Sequence, residues 1–172
     1  MESIVQAKRV LEIFKEMSQI PRESGNEKGI SDYIVNFAKN LGLEVHQDDQ
    51  YNVVIKKPAS PGYENRPSII LQGHIDMVCV RDHDSNHDFT KDPIANIIEG
   101  EWMHADHTTL GADNGMGGAM MLAILEDDSQ QHGPMQLLFT TNEETGMDGA
   151  FAIKEGQVSG DYLLNLDTEV EH

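Results

Sequence analysis

The chain combines apolar residues at helical spacing with short apolar runs of the length of β-strands. Apolar residues recur every three or four positions over 7–17, and Pro21 ends this predicted first helix. Ser24 and Glu27 fit a capping box for a second helix, whose inner face extends over 30–41 and which closes at Gly42. The first 42 residues therefore predict two consecutive helices.

Five short apolar runs predict strands, at 43–46, 51–56, 68–72, 135–140 and 162–166. A hairpin is predicted over 97–103, with its turn around Glu99 and Gly100. Two more helices are predicted, one from near Gly117 through Leu125 and a short one over 149–154. Strands that alternate with helices indicate an α/β fold with a largely parallel central sheet flanked by helices. The pattern contains no repeat and no internal domain boundary.

The composition is strongly acidic. Twelve Lys and Arg against 30 Asp and Glu give a formal net charge of −18 at pH 7, which argues against nucleic acid and anionic membranes as partners. Cys79 is the single cysteine, so the chain has no intrachain disulfide and suits a reducing compartment. No signal peptide is recognisable, and no apolar run approaches the roughly 20 residues of a membrane span. We expect a soluble, cytoplasmic protein.

Candidate chemistry lies in four short polar turns that follow apolar runs. They carry His74 with Asp76, Asp113, Glu143 with Glu144, and Asp167. Imidazole and carboxylate are the ligand set for zinc and similar divalent ions. Because ligands of open α/β sheets gather beyond the carboxyl ends of the strands, these turns are expected to meet. The pattern predicts one metal centre of a hydrolase, assembled by folding.

The spacing within the turns suggests separate roles. His74 and Asp76 lie two residues apart, so on an extended segment they share a face, and Asp76 can hold the ring N–H of a metal-bound His74. Asp113 lies among glycines, either as a helix cap or as a ligand that the backbone approaches closely. Glu143 and Glu144 point in different directions on an extended backbone, so one can bind metal while the other faces water. A solvent-facing acidic turn is the alternative for this pair.

Asp167 ends the last predicted strand and is either a fourth ligand or part of an acidic loop with Glu169 and Glu171. The remaining internal histidines are expected at the surface or the core edge: His46, His83, His87, His104, His107 and His132. Among them His107 lies nearest to Asp113 in sequence.

Four longer motifs carry a resemblance to a known family. They are GHIDMV at 73–78, HDFTKDPI at 87–94, TTLGADNG at 108–115 and EETGMDGAF at 143–151. Together they resemble the co-catalytic zinc peptidases, the superfamily of carboxypeptidase G, aminoacylase and peptidase T. More narrowly, they resemble the bacterial aminoacyl-histidine (Xaa-His) dipeptidases. The likeness covers nearly the whole chain.

The resemblance implies a dinuclear centre that hydrolyses small peptides, of the Xaa-His or carnosine type. It implies two divalent metal ions, zinc foremost, with cobalt or manganese as alternatives. Asp113 would bridge them, His74 and Asp167 would complete one site, and Glu144 would serve the other. Glu143 would be the general base, and Asp76 would orient His74.

Enzymes of this kind are considerably longer than the present chain. We therefore expect 1–172 to be the N-terminal part of a metallopeptidase catalytic domain, without the lid and dimerisation domain and without the C-terminal catalytic segment. That segment would supply a further histidine to the second metal, a role that His172 is not assigned. The full-length enzyme is expected to be a homodimer, and the isolated chain is expected to be catalytically impaired.

Other functions remain open at this point. An aminoacylase-like deacylase or a tripeptidase of the same superfamily would share the metal residues, although the motif at 87–94 favours the dipeptidase. A non-catalytic metal-binding fragment would not require Glu143. Calcium binding of the EF-hand type is disfavoured, because the sequence lacks the characteristic EF-hand loop.

Overall fold

The structure of the protein is a computed structural model that describes residues 2–167, with side chains from residue 6 onward. The described helices are α1 (Glu2–Met17), α2 (Lys28–Asn40), α3 (Ala112–Glu126), α4 (Glu143–Gly146) and α5 (Asp148–Ala152). The described strands are β1 (Glu44–Gln47), β2 (Val53–Lys57), β3 (Ile69–His74), β4 (Asn96–Glu99), β5 (Trp102–Ala105), β6 (Met135–Thr140) and β7 (Tyr162–Asn165). The predicted succession of helices and strands is confirmed, except that the short helix α4 was not predicted.

A five-stranded sheet with the order β1-β2-β6-β3-β7 forms the centre of the molecule. β3 pairs in parallel with β6 and with β7, whereas β2 pairs antiparallel with both β1 and β6. Within this sheet β2 therefore runs against the other four strands. The predicted fold class, an α/β protein with a largely parallel central sheet, is confirmed.

The main core lies between one face of the sheet and helices α1, α2 and α3. It contains Phe14 and Met17 from α1, Ile34 from α2, Leu122 from α3 and Phe139 from β6, each fully buried. The opposite face carries a smaller cluster around Val54, Ile70 and Leu138, partly covered by Ile153 and Val158. The side chains of β7 are exposed along the whole strand.

The predicted hairpin is confirmed: β4 and β5 form a separate two-stranded sheet that turns at Gly100 and Glu101, one residue later than predicted. Within residues 2–167, none of the helices combines the length and apolar character that crossing a membrane requires.

Two local predictions were wrong. Ser24 and Glu27 do not form a capping box, because no side chain caps α2 at its N-cap residue Glu27 and both side chains bond to other segments. Glu143 and Glu144 do not continue an extended strand but begin the short helix α4, after Asn142 with a left-handed backbone at φ 54°. In both cases tertiary hydrogen bonds replace the local pattern that the sequence suggested.

The buried face of β6 generates a stability prediction. Phe139→Ala should lower the free energy of unfolding by about 3–5 kcal/mol, because it leaves a cavity between the sheet and the helices. Phe151→Ala is the matched control: this ring is 81% exposed, and its loss should cost about 0.5 kcal/mol or less. Urea unfolding of both variants measures the difference. Equal destabilisation would contradict the assignment of the core.

Candidate metal centre

His74 occupies the carboxyl end of β3, which β6 and β7 flank on both sides. Its side chain is 1% exposed. The ring nitrogen Nδ1 lies 3.1 Å from the carbonyl oxygen of Asp76 and 3.2 Å from its carboxylate Oδ1. Nε2 lies 3.1 Å from Oδ1 of Asp113. One nitrogen is therefore held by Asp76 and the other faces a carboxylate, an arrangement typical of a metal-binding histidine.

Asp76 is completely buried, and its carboxylate is surrounded by donors. Besides His74, it accepts hydrogen bonds from the Ser24 hydroxyl at 2.7 Å and from the backbone N–H groups of Glu143 at 3.1 Å and Glu144 at 3.2 Å. Burial alone would raise the pKa of Asp76, but the bonds from His74, Ser24 and the Glu143 amide lower it. Asp76 thus holds both His74 and the turn that carries the two glutamates.

Asp113 lies in the first turn of α3, where its backbone and that of Asn114 depart from helical geometry and the peptide bond between them is cis. Asp113 does not cap the helix, because the N-cap residue is Gly111 and no side chain bonds there. Gly111 has a φ of 71°, and a Cβ at this position would collide with Arg22 and with the sulfur of Met77. Both the left-handed backbone and the lack of space for a Cβ therefore require glycine at position 111.

Arg22, which the sequence pattern did not single out, ties two segments of the site together. Its buried guanidinium donates through Nη1 to the carbonyls of Ile75 at 3.2 Å and Asp76 at 3.3 Å, and through Nη2 to the carbonyl of Gly111. Burial lowers the pKa of Arg22 to about 10, which leaves the group cationic at neutral pH. A lone arginine after a helix end shows no periodicity, so no sequence signal marked it.

Asp167 is brought to the site by the junction of α3 with the end of β7. The side-chain amide of Asn114 donates to the carbonyl of Leu166 at 3.0 Å. A Cβ on Gly117 would come within 2.8 Å of that same carbonyl, so this glycine allows the close approach. Oδ2 of Asp167 then lies 3.8 Å from Nε2 of His74.

Glu143 and Glu144 also lie near His74, and both are half-buried. Oε2 of Glu143 is 3.9 Å from Nε2 of His74. The pKa of Glu144 is raised, first by burial and then by the charges of Asp113, Glu143 and Asp76, although His74 opposes the shift. The turn therefore faces the site and is not a solvent-facing acidic loop.

Two groups of side chains place potential metal-binding atoms within 4.8 Å of one another. One is His74, Glu143 and Glu144, and the other is His74, Asp113 and Asp167. One imidazole and several carboxylates match the chemistry of zinc and related dications. The structure thus brings together all six predicted site residues, and their donor set fits divalent metal ions.

The other described histidines lie outside both groups. His107 bonds through Nδ1 to Oδ2 of Asp82 at 2.8 Å, at the protein surface. His172 and the acidic residues Glu169 and Glu171 lie outside the described residues.

The fold and the site define an α/β protein with a candidate metal centre at the carboxyl edge of its parallel strands. A family model described as peptidase family M20/M25/M40 matches residues 70–169, which is more than half of the chain. The chain therefore belongs to this peptidase family, whose members depend on metal ions.

Individual relatives agree with this membership. The cytosol non-specific dipeptidase of Escherichia coli is 48% identical over 160 residues, covering 93% of this chain and 33% of the relative. The crystal structure of aminoacylhistidine dipeptidase from Vibrio alginolyticus matches with a TM-score of 0.91 and 47% identity, covering 95% of this chain and 33% of that one. A tripeptidase structure from Staphylococcus aureus matches with a TM-score of 0.79 and 26% identity, over 95% and 44% of the two chains. The chain spans about a third of the length of the first two.

The charges around His74 generate a pH prediction for the metal-free protein. Burial alone would lower the pKa of His74, but Asp76, Asp113 and Asp167 raise it from 6.5 to about 9. A protonated His74 therefore stabilises the fold fully below pH 6.5, and this contribution, at most about 3 kcal/mol, is lost as the pH rises through 9.

Urea unfolding in EDTA across this pH range measures the loss. His74→Gln is the control, because it removes the titrating group and should flatten the dependence. An unmodified protein whose stability changes no more than that of His74→Gln would contradict the raised pKa.

Proposed function

We propose that this chain is part of a metal-dependent dipeptidase that hydrolyses small peptides, with Xaa-His dipeptides of the carnosine type as substrates. The observation that carries the proposal is the convergence of three carboxylates, those of Asp113, Glu143 and Asp167, on Nε2 of the buried His74, with Glu144 in the same cluster. Membership of the peptidase family supports peptide hydrolysis, and the names of the Escherichia coli and Vibrio relatives support a dipeptide substrate.

Two divalent cations, zinc foremost, are proposed to lie among the side chains of the two groups. His74 belongs to both groups, but in this arrangement it binds one ion only. Asp113 is proposed as the residue shared by both ions, with His74 and Asp167 on one and Glu144 on the other. The 3.1 Å contact between His74 and Asp113 and the 3.8 Å contact between His74 and Asp167 support the first site. When bound, such ions polarise a peptide carbonyl and lower the pKa of water.

Glu143 is proposed as the general base. Its carboxylate lies beside His74 but half-buried, where it can take a proton from an attacking water molecule and pass it to the leaving amine. Asp76 is proposed to orient His74, since its carboxylate and carbonyl both lie within hydrogen-bonding distance of Nδ1. The two acids therefore have different roles: Asp76 is fixed by four donors, whereas Glu143 is free to exchange a proton.

We further propose that 1–172 forms the N-terminal part of a catalytic domain in a longer cytoplasmic protein that acts as a homodimer. The coverage of one third of the dipeptidase relatives supports the longer protein, and the cytosolic relative supports the compartment.

Tripeptide hydrolysis is the second candidate function, favoured by the fold match to the tripeptidase structure. Parallel assays of the whole protein with β-alanyl-histidine, other dipeptides and tripeptides distinguish the two candidates.

Asp113→Ala should weaken metal binding at both positions, by about tenfold or more, because a shared ligand serves two ions. Glu144→Ala should empty mainly one position. Metal analysis after dialysis against zinc measures both effects. Asp84→Ala, at a fully exposed carboxylate that belongs to neither group, serves as the control. Normal metal content in Asp113→Ala would rule out the shared role.

Glu143→Gln in the whole protein should leave metal content nearly unchanged and lower kcat by about 10²–10⁴-fold, because glutamine keeps the shape but cannot accept the proton. Metal analysis and dipeptide hydrolysis on the same preparation measure the two quantities. Near-normal turnover would show that another group is the base.

A further inference from the structure

Four consecutive backbone amides after β6 are bound by side chains rather than by the sheet. The N–H of Thr141 donates to Oδ1 of Asn52 at 3.1 Å, and the N–H of Asn142 donates to Oε1 of Glu27 at 3.0 Å. The next two, those of Glu143 and Glu144, donate to the two carboxylate oxygens of Asp76, as described above. All three accepting side chains are buried, with exposures of 1%, 4% and 0%.

The sheet leaves these amides without partners because its registers end here. β2 pairs with β6 only as far as Phe139, and β3 pairs with β6 as far as Thr140. A buried amide without a partner costs about 1–3 kcal/mol, so side-chain acceptors replace the missing strand. These side-chain acceptors, and not the backbone hydrogen bonds between strands, set the path of the turn that carries Glu143 and Glu144.

Glu27 is the acceptor whose spacing from Ser24 suggested a helix cap. It does not cap α2 through its side chain. Its Oε1 accepts from Gly25 at 2.9 Å as well as from Asn142, and so it ties the connection between α1 and α2 to the turn. The second bond holds the amide of Asn142, the residue whose left-handed backbone redirects the chain from strand β6 into helix α4.

We propose that Glu27 is a positioning residue of the metal centre. By holding the amide of Asn142, it sets the direction in which Glu143 and Glu144 leave the sheet toward His74. This inference rests on the proposed metal centre, because it assigns Glu27 an effect on metal binding through residues that it does not itself coordinate.

Two mild substitutions separate placement from charge. Glu27→Gln loses the negative charge but keeps an oxygen that can accept from Asn142. Glu27→Asp keeps the charge but is one methylene shorter and cannot span the same distance. If position matters, the glutamine variant should behave like the unmodified protein and the aspartate variant should not.

The chain offers a matched control in Glu64. This residue accepts from Gly62 at 3.0 Å, as Glu27 accepts from Gly25, and the two glycines have φ values of 86° and 87°. Glu64 is exposed and belongs to neither group of potential metal ligands. Glu64→Asp therefore disrupts the same local turn without touching the site.

Three measurements on the purified whole protein test the proposal. They are Co²⁺ affinity, the visible spectrum of bound Co²⁺, and amide hydrogen exchange at 142–144 in the metal-free protein. Glu27→Asp should weaken Co²⁺ binding by about 10–100-fold, the size typical of residues that support metal ligands. It should also alter the spectrum and speed exchange at 142–144. Glu27→Gln and Glu64→Asp should leave all three close to the unmodified values.

The outcomes distinguish this inference from the proposed function. An unmodified whole protein that binds no Co²⁺ would overturn the metal centre and this inference with it. If the unmodified protein binds Co²⁺ and Glu27→Asp matches it in affinity and spectrum, the positioning role alone is overturned, and any lower Tm then reports a structural contact only. A loss in Glu27→Gln equal to that in Glu27→Asp would also overturn it, in favour of charge.

Discussion

The buried carboxylate of Asp76 is the constraint on which the site depends. A carboxylate without exposure to water is tolerated only when its oxygens find donors. Here the donors come from three separate segments: Ser24 before α2, His74 at the end of β3, and the turn at Glu143 and Glu144 after β6. Satisfying one buried group therefore fixes the relative positions of three parts of the chain.

A second constraint is the density of negative charge around a single imidazole. Carboxylates from three segments face Nε2 of His74, and without a cation they repel one another. The pKa of Glu144 is raised first by burial and then by the charges of its acidic neighbours. Protonated His74 relieves part of this repulsion in the metal-free protein, and a divalent ion would relieve more. The same crowding that costs stability thus favours metal binding, which is why a site of this kind is better explained by function than by stability.

Much of the architecture could be predicted from local pattern. The strand β6 was predicted with its observed bounds, and β3 and β7 to within two residues at each end, because each is a short apolar run between polar turns. The six candidate site residues were recognisable because each follows such a run or lies among glycines. Ser24 and Glu27 were misread for the opposite reason: their spacing matches a helix cap, and nothing local reveals a stronger partner far along the chain.

The sequence by itself determined the order of helices and strands, the apolar faces that pack together, and the residues with metal-binding chemistry, since all of these depend on residue type and spacing. Only the tertiary structure decided which groups meet. The contact of Glu27 with Asn142 spans 115 positions, and that of Arg22 with Gly111 spans 89. Such bonds form because a buried polar group loses its contact with water and must bond instead to a partner that the fold places nearby. That choice depends on the whole packed chain and leaves no signature in the neighbouring residues.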